Sequence, residues 1–360
     1  MNQPRAYVTP RGWLRGDAAA QATSADLAWP LGDAARELAF TAVEINIAQA
    51  SEPLLFSRTV YQNDPGLPND VRRIVDDRIA AIARSPREFA GIDLTHPALM
   101  GVVNVTPDSF SDGGKFETVE QAVVHGLALH DAGAAIVDVG GESTRPGAAP
   151  VDPKDEIARV VPVVKGLSSQ GVCVSIDSRH AAVMAAAIDA GAQIVNDVTA
   201  LTGNAESIRV VVHAKVPVIL MHMLGEPQTM QKDPRYDWAP GDVYDFLERR
   251  LSDCLNAGLE PRNVAIDPGI GFGKTVRHNA EVMNHLGMLH GLGCAVVLGA
   301  SRKSFIARMS KGEGPDHRLP GSIAAALHGA AQGVRILRVH DVAETRQALT
   351  VVRHCMQSSP

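Results

Sequence analysis

The sequence predicts an α/β protein whose larger part is a (β/α)8 TIM barrel, with a small N-terminal α/β extension in front of it. Three observations carry that expectation. From about Pro97 onward, eight short apolar runs rich in Val and Ile recur along the chain, the pattern of parallel strands covered on both faces. Most stretches between them are long enough to hold a crossover helix. Every run also ends on polar residues, as barrel strands do at the rim that carries a site. An open doubly wound sheet permits the same alternation, but eight repeats favour closure.

Residues 1–96 stand outside this rhythm. LAFTAVEINIA reads as a strand, and Val71, Ile74, Val75, Ile79 and Ile82 fall on one helical face of PNDVRRIVDDRIAAIARS. No nucleotide or metal motif occurs there. The expected division is an extension of unknown role over 1–96, packing on the barrel or helping it dimerise, and a catalytic barrel over 97–360. The barrel runs are ALMGVVNV (98–105), AAIVDVGG (134–141), VCVSIDS (172–178), QIVNDV (193–198), VPVILMHM (216–223), NVAIDPG (263–269), CAVVLGAS (294–301) and GVRILRVHDV (333–342). Helix starts are marked by Thr118-Val-Glu-Gln121, a capping box, and by Asp152-Pro153, an N-cap followed by proline. Two Asp-Ala-Gly repeats each end a helix on glycine before a strand.

The strand ends hold the chemistry. They are Asn104; Asp138 with Gly140, Gly141 and Glu142; Asp177; Asn196 and Asp197; His222; Asp267; Ser301, Arg302 and Lys303; and Arg338 with His340. Any one of these is ordinarily a helix cap. All eight at one rim, mixing carboxamides, carboxylates and cations, point to a binding site. Asp177, Asn196 and Asp267 suit the edge of a flat nitrogen heterocycle, Arg338 suits its face or an anion, and Arg145 and His340 suit phosphates. No Ser-His-Asp triad or zinc helix is present. DPGIGFGKT imitates a P-loop, but Pro268 stands where that motif needs glycine, and the dinucleotide pattern fails at Lys274. It reads instead as a glycine-rich loop that lets a flat ligand approach the backbone.

Composition narrows the class further. A net charge of −6 over 360 residues gives no general field for nucleic acid. The four cysteines (Cys173, Cys254, Cys294, Cys355) form no C-x-x-C pair, which suits a reducing compartment. No apolar run reaches membrane-spanning length, so a cytoplasmic protein without membrane partners is expected. Cys173, Cys294, Trp13, Trp29, Trp238, His213 and His328 are read as packing or surface residues.

GVVNVTPDSFSDGG and IVDVGGESTRPGA, followed in order by SIDS, NDV, LMHM, DPGIGFGK, SRKSF and RVHDV, resemble the dihydropteroate synthase family over roughly Gly91 to Met356. The resemblance implies condensation of a dihydropterin-CH2-pyrophosphate with p-aminobenzoate, giving dihydropteroate and pyrophosphate, with Mg2+ as cofactor and a homodimer as assembly. It implies that Asp177, Asn196, Asp267, Lys303 and Met223 bind the pterin and that Arg338 stacks on it. Asn104 would hold Mg2+ on the pyrophosphate, gripped by Thr144, Arg145, Arg338 and His340. Ser304, at a helix start, would receive the aminobenzoate carboxylate, with Phe110, Pro146 and Phe272 lining that site. A pterin cation would be stabilised by Asp108 or Asp112, and the choice between them stays open. The catalytic set is thus Asn104, Asp108, Asp112, Arg145, Lys303 and His340. Rival readings are a pterin-dependent methyltransferase serving a corrinoid, a Schiff-base aldolase using Lys303, and a non-catalytic pterin-binding protein.

Overall fold

The computed structural model describes residues 4–32, 37–48, 50–63, 66–105, 118–143 and 147–357. The N-terminal part is an antiparallel sheet built on one long strand. β1 (Ala6–Arg15) lies along one edge of β3 (Leu38–Ile47), and β2 (Trp29–Pro30) and β4 (Leu54–Ser57) share the other. The expected helix is Asn69–Ala83, and it buries Val71, Val75, Ile79 and Ile82 in one core with Trp29, Phe40, Val43 and Ile45. β1 was not legible in the sequence, because Pro10 and the positive-φ Gly12 interrupt its alternation. Both are tolerated on an edge strand, where one row of backbone groups needs no partner.

The sheet docks on the outside of the barrel. Tyr7 packs edge-on against Trp238 and Tyr244, at centroid distances of 5.4 and 5.7 Å, and donates to Asp245 at 3.1 Å. Arg11 joins Glu44 at 2.9 Å and the Asn284 carbonyl at 2.9 Å, while His285 meets Glu44 at 3.3 Å. Arg5 pairs with Asp245, and Arg78 with Glu248.

The barrel is closed. β7 (Ala98–Asn104), β8 (Ala134–Gly140), β9 (Val174–Asp177), β10 (Ile194–Asp197), β11 (Val218–Met221), β12 (Val264–Asp267), β13 (Ala295–Leu298) and β14 (Ile336–Val339) pair in chain order, all parallel. β14 returns to β7, which excludes the open sheet. The helices begin as expected: Thr118 and Gln121 form both halves of a capping box, and Asp152 caps Pro153–Ser168. Gly133 and Gly191 follow the two Asp-Ala repeats at φ 109°.

Side chains alternate across the barrel wall, as period two requires. Met100, Ile136, Ile194, Ile219, Ala265, Val297 and Ile336 form one cluster, whereas their chain neighbours Leu99, Val137, Val195, Val218, Ile266, Val296 and Leu337 pack with the helices. The interior cluster also takes in Phe89 and Leu94. Phe89 lies within, and Leu94 directly follows, the small hairpin of β5 (Glu88–Phe89) and β6 (Ile92–Asp93), which closes the floor of the barrel from a segment before residue 97. Among the described residues no helix is long and apolar enough to cross a membrane.

All four cysteines are free, Cys294 buried and Cys173 only half-buried. Trp13, Trp29 and Trp238 make ring contacts within the protein. His213 is an exposed helix residue, and His328 meets the Met283 carbonyl at 3.0 Å.

Candidate active site at the barrel mouth

The same alternation that fills the interior aims the polar strand ends inward. Asp138 lies two residues beyond Ile136, Asn196 beyond Ile194, Asp267 beyond Ala265 and Arg338 beyond Ile336, each pair straddling one outward residue. Asp177 and Asn104 stand four beyond Cys173 and Met100. The lower layers of the barrel are therefore apolar and the top layer polar, all at the C-terminal ends of parallel strands. Asp197 has the opposite parity. Its carboxylate accepts from Thr199 N and Oγ1, each at 2.7 Å, and from Leu201 N at 2.9 Å, so it serves a turn.

Arg338 is the centre of the mouth. Its Nε donates to Asp138 Oδ2 at 2.6 Å and its Nη2 to Asp177 Oδ2 at 2.7 Å. Asn196 Nδ2 donates to the same Asp138 oxygen at 3.1 Å. Asp138 is fully buried, and its second oxygen has no hydrogen-bond partner among the described residues. Burial pushes the Asp177 carboxyl upward; Arg338 opposes this and the negative Asp138 adds to it. Arg338 is held even more firmly cationic than usual, because Asp138 and Asp177 outweigh its burial. Asp138 is absent from the site set expected from sequence. Its parity with Ile136 was the signal that marks it.

Asp267 and Lys303 form the next pair. Asp267 Oδ1 accepts from Gly269 N at 2.7 Å, and burial raises this carboxyl against the pull of Lys303. Lys303 Nζ donates to the Ile270 carbonyl at 2.5 Å and lies 4.5 Å from the centroid of the Phe272 ring. Burial lowers the ammonium to about 8, with Asp267 resisting. Ser304 is exposed at the start of the helix Ser304–Met309, beside Lys303. Met223 is half-buried just past β11.

His340 directly follows β14. Its ring Nδ1 lies 3.0 Å from Ser301 Oγ, which also accepts from the His340 backbone N–H at 3.2 Å. Burial, with Arg338 and Arg302 nearby, lowers the imidazole to about 3. At neutral pH it is an uncharged donor or acceptor, not the cation that gripping phosphate by charge would require.

Two glycines of the glycine-rich loop make close contacts within the protein. Gly269 (φ 65°) would place a Cβ 1.9 Å from the His222 carbonyl oxygen, and Gly273 (φ 58°) one 2.5 Å from that of Leu224. Gly269 and Gly273 thus let two loops of the protein touch, while Gly271 (φ 86°) faces the mouth, where a Cβ would meet Lys303 Cδ at 3.2 Å. Inside the contact Lys274, 2% exposed, reaches His222 Nδ1 at 2.8 Å and the Gly269 and Phe272 carbonyls at 2.9 and 3.2 Å. Burial drives both Lys274 and His222 toward their neutral forms. The lysine of this P-loop lookalike is a structural bolt.

Behind the mouth, Glu142 takes two bonds from Arg179, at 2.8 and 2.9 Å. Although burial works against it, these bonds keep its carboxyl below the ordinary range. Glu142, Glu156 and His180 are the only described residues whose ligand atoms gather, within 4.8 Å of one another, as a metal site would need. Glu156 is fully buried, and among the described residues neither of its oxygens has a hydrogen-bond partner. Burial raises it to about 7. Of the expected site residues, Asp108, Phe110, Asp112, Thr144, Arg145 and Pro146 lie outside the described residues.

Comparison with known proteins gives this mouth its context. The family model of pterin binding enzymes matches residues 100–340. The dihydropteroate synthase of Escherichia coli (strain K12) is 42% identical over 262 residues, spanning 72% of this chain and 92% of the relative. The solved structure of Xanthomonas albilineans dihydropteroate synthase with 4-aminobenzoic acid aligns with a TM-score of 0.70 and 45% identity, covering 75% of this chain and 97% of that one. That of the Yersinia pestis dihydropteroate synthase in complex with a sulfonamide drug aligns at 0.71 and 41% identity, over 74% and 97%. The methyltransferase, aldolase and non-catalytic readings give way to these relatives, because closed barrel, polar mouth and sequence agree over the same three quarters of the chain. The chain belongs to the dihydropteroate synthases, transferases within the pterin-binding enzymes.

Proposed function

We propose that the chain condenses 6-hydroxymethyl-7,8-dihydropterin pyrophosphate with p-aminobenzoate to give 7,8-dihydropteroate and pyrophosphate. The observation that carries this reading is the Arg338 centre, bound at 2.6 and 2.7 Å to Asp138 and Asp177 with Asn196 alongside. A guanidinium held over inward carboxylates and a carboxamide supports recognition of a planar heterocycle at both edge and face. Asp177, Asn196 and Asp267 would take the ring N–H groups, Lys303 the ring acceptors, and Met223 would give apolar contact. The 4-aminobenzoic acid bound to the Xanthomonas relative supports the same second substrate here, with Phe272 and Ser304 flanking it beside Lys303.

In this reading the C–O bond between the pterin methylene and pyrophosphate breaks first, its electron pair leaving with the pyrophosphate oxygen. The aniline nitrogen then forms the C–N bond and gives up a proton. Arg338 is already cationic and needs no proton to meet the departing charge. His340, neutral beside the Arg338 and Arg302 cations, would gain basicity as the phosphates arrive. Asn104 fits Mg2+ as a neutral oxygen donor, since this ion takes few protein ligands beside phosphate oxygens and water. It ends β7, paired with Gly140 of β8. When bound, the ion would neutralise pyrophosphate charge. A cytoplasmic homodimer completes the proposal.

Incubation with the pterin pyrophosphate, p-aminobenzoate and Mg2+ should release pyrophosphate, and a chain that releases none is not a synthase. A sulfonamide should compete with p-aminobenzoate; full turnover at a saturating dose would remove the aminobenzoate assignment.

A further inference from the structure

We propose that Glu142, Glu156 and His180 hold one divalent transition-metal ion, represented by Zn2+, in a structural site behind the mouth. The three donors come from different segments. Glu142 lies two residues past β8, Glu156 in the first turn of the helix Pro153–Ser168, and His180 just before the helix Ala181–Asp189.

Glu156 is the residue that calls for a ligand. On its helix it shares the buried face with Val160, Val163, Val164 and Leu167, where an apolar side chain would carry no electrostatic cost. Its side chain is 0% exposed, and among the described residues neither oxygen is hydrogen-bonded and no Lys or Arg pairs with it. The Ser178 hydroxyl stands near enough to favour the carboxylate but makes no hydrogen bond to it. Taking up a proton would remove the charge and leave a buried O–H equally unmatched. A cation satisfies the lone pairs directly. Gly141 makes the room, since a Cβ there would meet Glu156 Cγ at 2.8 Å.

The other donors converge on the same space. His180 Nε2 is buried without a hydrogen-bond partner among the described residues, 3.9 Å from Glu142 Oε2 and 4.0 Å from Glu156 Oε2. Those separations are too long for hydrogen bonds. They exceed by only about half an ångström the spacing of two ligands held tetrahedrally ~2.1 Å from one ion. Glu142 is already oriented, as metal ligands are by their outer partners. Arg179 donates to Oε2 at 2.8 Å and to Oε1 at 2.9 Å, and Val151 N to Oε1 at 3.2 Å. Oε2 accepts one of these bonds and keeps a second lone pair. The donor set selects the ion: an imidazole nitrogen with two carboxylates suits Zn2+, whereas Mg2+ takes oxygen ligands. Half-buried His180 leaves a path from solvent. Asn104, on β7, shares no part of the cluster. The bound ion ties the end of β8 to the starts of the next two helices.

The test is calorimetric titration of full-length protein, stripped with a chelator, with Zn2+ alone. Wild type and Asn104→Ala should each bind one equivalent with Kd below ~10 μM, millimolar Mg2+ should not displace it, and bound Zn2+ should raise Tm. Glu156→Gln and His180→Ala, each shown folded by circular dichroism, should weaken binding at least ~100-fold, the upper end of what losing an outer partner costs. The proposal is overturned if wild type binds no Zn2+ at that strength, if binding survives in both variants, if Mg2+ displaces it, or if Asn104→Ala abolishes it.

Discussion

At the floor of the barrel Phe89, 1% exposed, and Leu94, 2% exposed, close the interior with apolar surface. At the mouth the barrel strands bury Asp138 at 0% and Asp267 at 5%. Equal burial has opposite sign at the two ends. Removing Phe89 from water is favourable in itself. Removing Asp138 is costly and persists only because Arg338 and Asn196 bond to it. The floor thus holds the barrel together, and the mouth spends part of that stability on groups poised for a ligand.

Separating the two ends by mutation tests this contrast. The largest effect is expected from Asp177→Asn, which keeps the shape and removes a carboxylate already disfavoured by burial. It should lower kcat/KM by about 10³-fold while Tm holds or rises; steady-state rates with melting curves check this. Unchanged kcat/KM with a lowered Tm would make the mouth structural. Phe89→Ala should do the reverse, destabilising by about 3 kcal/mol in denaturant titration and leaving kcat near wild type. Lost turnover at intact stability would show that the floor shapes the site.

Glu156 sharpens the comparison behind the mouth. Its carboxyl is raised in the folded protein to about 7, so its contribution is present at low pH and lost as pH rises through 7. Glu156→Gln should therefore match wild type at pH 4, below the ordinary Glu range, and exceed it at pH 8 by roughly 3 kcal/mol, read by denaturant unfolding of the metal-free protein at both pH values. Equal stability at pH 8 would mean that the carboxyl is not protonated in the fold. The smallest effect concerns Lys303, cationic below about 8 and neutral above. Above that pH, kcat/KM should fall roughly tenfold per pH unit, and Lys303→Arg should move this limb to higher pH. A limb that stays in place in the arginine variant belongs to another group.

The barrel was legible because its strands are local and periodic: eight apolar runs, each ending on polar residues. Asp177, Asn196, Asp267, Lys303 and Arg338 could be read as one rim for the same reason. Asp138 is legible as a strand end but not in its role, which depends on Arg338 from another strand, and Asp197, beside Asn196, has outward parity and bonds Thr199 and Leu201. β1 escaped notice because Pro10 and Gly12 break its pattern. The Phe89–Leu94 plug escaped because two apolar residues in a short hairpin have no periodicity to betray them.

Order along the chain, the two-residue period and the caps at Thr118 and Asp152 are properties of neighbouring residues, and the sequence by itself determined them. Closure of β14 on β7, the pairing of Arg338 with Asp138 from strands 200 positions apart, the loop contact that needs Gly269, and the neutrality of His340 were decided by the tertiary structure. Each depends on burial and on the field of distant groups, which a run of residues does not carry.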